Sequence, residues 1–179
     1  MRGLPFYVKR EAFARADTRQ RVAYILSAVL VITMLCVIFR FSAADATHSS
    51  HLSEGVCIRL VRELNSVFPE QFPKEKLVKV AEAIEYPIRK CAHFTEYAVL
   101  GFFTYKAVSC DVLDRKKAVL TAQLISTGYA STDEIHQMFV PGREGKVFDV
   151  MIDSCGAFCG IMVSLITQKL IEKKKGNQI

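Results

Sequence analysis

Three short runs of this chain carry side chains that could do chemistry. His93 and Glu96 stand three residues apart; Asp133 precedes His136 by three and Gln137 by four, with Glu134 beside it; Asp149 and Asp153 are four apart. Residues three and four apart share a helix face, so each run would present its groups in one direction. Imidazole and carboxylate together can act as general acid and base, and His93 with Glu96 facing Asp133 with His136 has the ingredients of a metal site. The spacing matches no known metal-binding helix motif, no cofactor is indicated, and no nucleophile is evident beside the histidines. Arg143 lies on a turn, Pro141-Gly142-Arg143-Glu144-Gly145, just before the last run. A guanidinium beside the unpaired amides of a helix start can hold a phosphate or carboxylate. The competing expectation is that Arg143 simply pairs with Asp149, Asp153 or Glu96.

The elements that must position these groups are apolar. The chain is 51% hydrophobic with a positive mean hydropathy of +0.21, and its apolar residues come in long blocks rather than as a thin periodic stripe. Val22 to Phe39 is free of charge and is flanked by Arg21 and Arg40. At about 1.5 Å per residue this run nearly matches the hydrocarbon thickness of a bilayer. A cleaved secretory signal ending at Ala43, Ala44, Asp45 and Ala46 is the alternative, but the run exceeds the usual signal core of about 7 to 15 residues, which favours an uncleaved anchor. Further apolar segments, Cys91 to Cys110, Ala118 to about Ala130 and Val150 to Ile171, read as three more spans.

Between the first and second spans, Leu52, Val56, Leu60, Val61, Leu64 and Phe68 form one stripe at helical spacing, and Leu77, Val80, Ala81 and Ile84 form another, with Pro69 and Pro73 between them. Both read as amphipathic helices lying at the membrane surface. The expected fold is therefore all-α and integral to the membrane, with four transmembrane helices and two interfacial ones. It divides into a basic tail (1–21), a first span (22–42), an outer-face segment (43–88), a three-span core (89–170) and a second basic tail (171–179).

Charge placement orients this scheme. Residues 1–21 hold six Lys or Arg against two acids and residues 169–179 hold four against one, whereas 43–88 hold five against seven. With four spans, both tails and Arg115-Lys116-Lys117 fall on one side, taken as cytoplasmic by the positive-inside rule. The basic ends thus read as membrane anchors and not as nucleic-acid patches. All three chemical runs then meet at the outer face. Ionisable groups cost about 2.5 to 3.5 kcal/mol each near a helix centre and less toward the interface, so a shared polar pocket is the economical arrangement. Gly156-xxx-Gly160 continues the register of Asp149 and Asp153 and reads as a close-packing face. The six cysteines show no metal or disulfide-framework spacing, although Cys57 and Cys91 could both face outward and pair.

The order Arg89-Lys90-xx-His93-xx-Glu96-Tyr97, then Asp133-Glu134-x-His136-Gln137-x-Phe139-Val140-Pro141-Gly142-Arg143, then Asp149-Val150-xx-Asp153-xx-Gly156-xxx-Gly160 resembles the VanZ-like family of bacterial membrane proteins. The segment after the first span, Phe41-Ser42-Ala43 with Ser49, Ser50, Leu52 and Ser53, is also similar. The resemblance implies a multi-pass protein of the bacterial cell membrane, in a family named for a member that raises resistance to the glycopeptide teicoplanin. It implies shared polar positions at Lys90, His93, Glu96, Tyr97, Asp133, Glu134, Gln137, Arg143, Asp149, Asp153 and Gly156. Two readings of function stand side by side. One is a binding protein whose outward pocket takes a phospholipid headgroup or a lipid-linked cell-wall precursor and so alters antibiotic access. The other is a membrane-embedded hydrolase or transferase acting on a phosphorylated lipid, with His93 or His136 as acid or base. A small transporter would require the chain to assemble as a homo-oligomer.

Overall fold

The computed structural model describes residues 18–44, 46–67, 72–109 and 114–176. Most of the N-terminal basic tail, Phe68, Pro69, Cys110 and the last three residues lie outside the described residues. Among those described there are five helices and no strand: α1 (Thr18–Ser42), α2 (Ala46–Ser66), α3 (Lys74–Val108), α4 (Arg115–Gln137) and α5 (Val147–Gly176). The all-α expectation is met. Two of the helices, over Arg21–Ser42 and Val147–Lys174, are long and apolar enough to cross a membrane by length and composition. The other two expected spans, in α3 and α4, do not meet that measure, because ionisable side chains in α3 and Gln, Ser and Thr residues with charged ends in α4 lower their hydropathy.

The second amphipathic stripe is not a separate helix. It forms the first part of α3, which runs on without a break through Pro87 for 35 residues. A proline inside a helix removes one amide donor and crowds the carbonyl four residues back, a cost of about 3 kcal/mol. Packing on both sides of Pro87 offsets that cost. Before it, Ala81 is buried against Cys57 and Val61 of α2, with Ile58, Leu77, Ile84 and Ile88 around them. Beyond it, α3 lies along α5 with the two backbones nearly touching.

Small residues make that approach possible. A Cβ on Gly156 would run into the Phe94 carbonyl oxygen, one on Gly160 into that of Ala98, and one on Gly101 into that of Ala157. Each helix thus places a glycine where the other presents backbone, as expected when helices associate through close contact. The packing role read for Gly156 and Gly160 is what the helices use. Helix α1 closes the bundle through Ile38, which joins Tyr97, Leu100, Ala130 and Ala157 in one buried cluster. A second cluster, Tyr105, Ala118, Ala122 and Ile161, lies toward the other end.

The bundle buries polar side chains among its apolar clusters and leaves large apolar ones exposed. Thr104, Ser126, Asp133, Asp153 and Ser164 are buried, whereas Leu120, Leu124, Phe158, Val163 and Ile166 are exposed. A water-soluble bundle distributes these residue types the other way round. Cys57 and Cys91 are both free, the first buried where α2 meets α3 and the second exposed on α3, so the pairing that the sequence allowed is not made.

Candidate functional site

Four chain segments converge at one end of the bundle: the last turn of α1, the middle of α3, the last turn of α4 with its following loop, and the first two turns of α5. The loop is short and strongly constrained. The amides of Phe139 and Val140 donate to the carbonyls of His136 and Gln137 at 3.0 Å, and the Arg143 amide donates to the Val140 carbonyl at 3.1 Å. Gly142 takes φ 74°, a left-handed conformation that favours glycine. Gly145 presses on the end of α4, where a Cβ would meet the Glu134 carbonyl.

Glu134 fixes the loop's exit. Its Oε2 accepts the Lys146 amide at 2.9 Å, one residue before α5 begins. Arg143 Nη2 donates to the Phe41 carbonyl at 3.1 Å, meeting one of the open carbonyls at the end of α1. Asp149 draws its cation from α3: Lys90 Nζ stands 2.6 Å from Asp149 Oδ2, with both side chains largely buried. The lysine one helix turn before His93 reaches Asp149, and the arginine reaches backbone.

These contacts shape a half-open polar cleft of about 180 Å³. Of the expected residues, Lys90, His93, Glu134, Gln137, Arg143 and Asp149 line it. Asp133 and Asp153 form a buried layer beside it. Asp133 Oδ2 accepts from Gln137 Nε2 at 3.2 Å, and Asp153 Oδ2 lies 4.0 Å from His93 Nδ1. Tyr97 is fully buried next to Tyr129, whose hydroxyl donates to the Leu35 carbonyl at 2.6 Å and fastens α4 to α1.

Two expected members lie elsewhere. His136 turns toward α1 and stacks on Phe39 with centroids 4.9 Å apart. Glu96 lines an apolar groove between α1 and α3. His93, Glu96, Asp133 and His136 therefore do not converge, and among the described residues no group of three or more His, Cys, Asp and Glu side chains could hold a metal ion. Helical spacing put each pair on one side of its helix, but the crossing of α1 divides that side between the cleft and the Phe39 surface.

The cleft also contains residues not singled out as site candidates. Arg89 and Lys146 bring its cations to four, with Lys90 and Arg143, and Tyr86 and Glu144 complete one wall. The Tyr86 ring lies 5.2 Å from Lys90 Nζ and 5.9 Å from the Arg89 guanidinium carbon, within cation–π range. Their common signal was the spacing Tyr86, Arg89, Lys90 on one helix face, obscured by Pro87 at an apparent helix boundary. Among the described residues the lining offers cations, the His93 imidazole and the Tyr86 phenol, and holds no Ser, Thr or Cys.

The VanZ/LLP1 family model matches residues 27–168, most of the chain and every residue of the cleft. The chain belongs to the VanZ/LLP1 family. No curated protein and no solved structure matches it. The family match begins within α1 and ends within α5, so most of the first helix lies in the shared unit alongside the helices that carry the cleft.

Proposed function

We propose that this VanZ/LLP1 protein crosses the bacterial cell membrane with α1, α3, α4 and α5, keeps both basic ends in the cytoplasm, and uses the outward cleft to hold the phosphate of a lipid headgroup. The observation that carries this reading is the gathering of Arg89, Lys90, Arg143 and Lys146 around one cleft, together with the Gln137 amide. Guanidinium groups present planar forks of N–H donors that match phosphate oxygens, and the start of α5 adds the positive end of a helix dipole. At about 180 Å³ the cleft is smaller than the roughly 300–1,000 Å³ of sites for drug-sized ligands. It suits a phosphoryl group and its nearest atoms. For a phospholipid or a lipid-linked wall precursor, the phosphate is the part that enters.

Thermal midpoints of the protein in phosphatidylcholine nanodiscs, titrated with glycerol phosphate and with phosphatidic acid, test the proposal. Both ligands should raise the midpoint, and Arg89→Gln should weaken each by about tenfold, as loss of one charge-assisted hydrogen bond implies. No shift with either ligand, or an undiminished response in Arg89→Gln, refutes it.

A second reading rests on His93 and Asp153. A buried carboxylate behind an imidazole that faces an anion site is the arrangement of a general acid or base held in place by an orienting group. Phosphatase or phosphotransferase activity on a phosphorylated lipid, lost in His93→Gln while the thermal shift with glycerol phosphate persists, would select this reading over binding alone.

A further inference from the structure

Two apolar grooves leave the cleft in series. The first, about 310 Å³, lies among the end of α1 and the middles of α2 and α3 and shares Arg89, His93 and Arg143 with the cleft; Phe41, Val56 and Ile88 provide its apolar walls. The second, about 510 Å³, continues between α1 and α3. It shares Ile88, Ala92 and Glu96 with the first and reaches Met34 and Val99. From Ile88 to Val99 the path follows α3 for about 16 Å at the usual helical rise. A free phosphate would need only the cleft. A charged pocket continuous with a long apolar path has the outline of an amphiphile.

We propose that this path holds one hydrocarbon chain of the phosphate-headed lipid whose headgroup occupies the cleft, an inference that rests on the headgroup reading above. The chain passes beneath α2, which roofs the entrance. Ser53 Oγ of α2 donates to Glu85 Oε1 at 2.6 Å, and Glu85 in turn meets Arg89 at 3.5 Å, so the roof is tied to one of the cleft's own cations. The buried contacts of Cys57 and Val61 with Ala81 hold the rest of α2 on α3. Ala92 is exposed and lines both grooves, so a larger side chain there fills the path without entering the core.

The experiment uses the full chain in phosphatidylcholine nanodiscs with phosphatidic acid carrying a photoactivatable diazirine midway along one acyl chain. A diacylglycerol probe with the same chain, which lacks the phosphate, is the control, and labelled peptides are mapped by mass spectrometry. The phosphatidic acid probe should label 88–99 and Met34 about tenfold over the lipid-facing residues Leu124, Phe158 and Val163, and the control probe should not show this preference. Ala92→Phe should abolish the preference yet keep the thermal shift with glycerol phosphate. If glycerol phosphate shifts the wild type but labelling is uniform, or if Ala92→Phe retains the labelled path, the chain site is overturned and the headgroup reading stands. If glycerol phosphate gives no shift, the headgroup reading fails and this inference with it.

Discussion

Replacing Lys90 by Met keeps much of the side chain's length and removes only its charge, which isolates the contact that joins α3 to the start of α5. In the native chain Lys90 Nζ is 2.6 Å from Asp149 Oδ2, and the two side chains are 19% and 11% exposed. Lys90→Met leaves Asp149 beside Glu134 without the ammonium it pairs with. Breaking a buried pair by removing one partner costs about 3–5 kcal/mol, and the residual exposure puts this pair near the lower figure. For a chain of this size about 3 kcal/mol lowers the thermal midpoint by roughly 6–12 °C. Much of that loss is the penalty of a stranded charge, so Lys90→Met/Asp149→Leu should recover most of it. The assay is the thermal midpoint in detergent, read as the loss of the monodisperse peak from heated samples without added ligand. A fall of under about 2 °C in Lys90→Met, or a double variant as unstable as the two single losses added, refutes the pair as a structural link.

Four further outcomes follow from the same geometry. Gly160→Ala should destabilise by about 1–3 kcal/mol because its Cβ meets the Ala98 backbone, whereas Gly128→Ala, with open space around it in α4, should stabilise by about 0.5–1 kcal/mol; the two midpoints should move in opposite directions. Tyr129→Phe should cost about 1 kcal/mol by removing the hydrogen bond to Leu35 that ties α4 to α1, visible as a lower midpoint with unchanged helical circular dichroism. Burial first, and Glu85 second, push the Cys57 thiol above its ordinary range, so its thiolate forms only at higher pH. In Cys-to-Ser backgrounds that leave Cys57 alone, maleimide labelling should lag an unfolded control and catch up only as the solution is made more alkaline. If headgroup binding alters glycopeptide access, expression in a sensitive host should raise tolerance of teicoplanin with vancomycin as the comparison, and Arg89→Gln, inserted at equal level, should not; unchanged tolerance with the wild type removes resistance from the role of this chain.

The helices and their approximate ends were legible because the apolar blocks are long and the breaks between them hold proline, glycine or clustered charge. The gathering of most of the polar runs at one end of the bundle was legible too, since successive helices joined by short breaks bring the end of one beside the start of the next. Two features were not. The joining of the amphipathic stripe to the next span depended on α2 and α5 holding α3 on both sides of Pro87, a tertiary effect that no local rule contains. The separation of His136 and Glu96 from the cleft depended on where α1 crosses: Phe39 takes the imidazole, and the groove beside Met34 takes the carboxylate. Periodicity gives the side of a helix a residue occupies, not which neighbour it meets there.

The division of labour among the polar residues then follows from their contacts. The sequence draws attention to the carboxylates, yet each one in the cleft with a named partner serves the scaffold: Glu134 holds the loop at Lys146, Asp149 holds Lys90, and Glu144 meets Lys146 at 3.2 Å. Two of the four cations are thereby paired with acids within the cleft. The two guanidiniums are anchored differently, Arg143 on the Phe41 carbonyl and Arg89 on Glu85 at the weaker distance of 3.5 Å. A guanidinium has five N–H donors, so one such contact does not exhaust Arg89. Arg89 is also the residue shared by the cleft, the first apolar groove and the link to α2. Because Arg89 lines both the cleft and the first groove, it is a side chain whose replacement should affect headgroup and chain together.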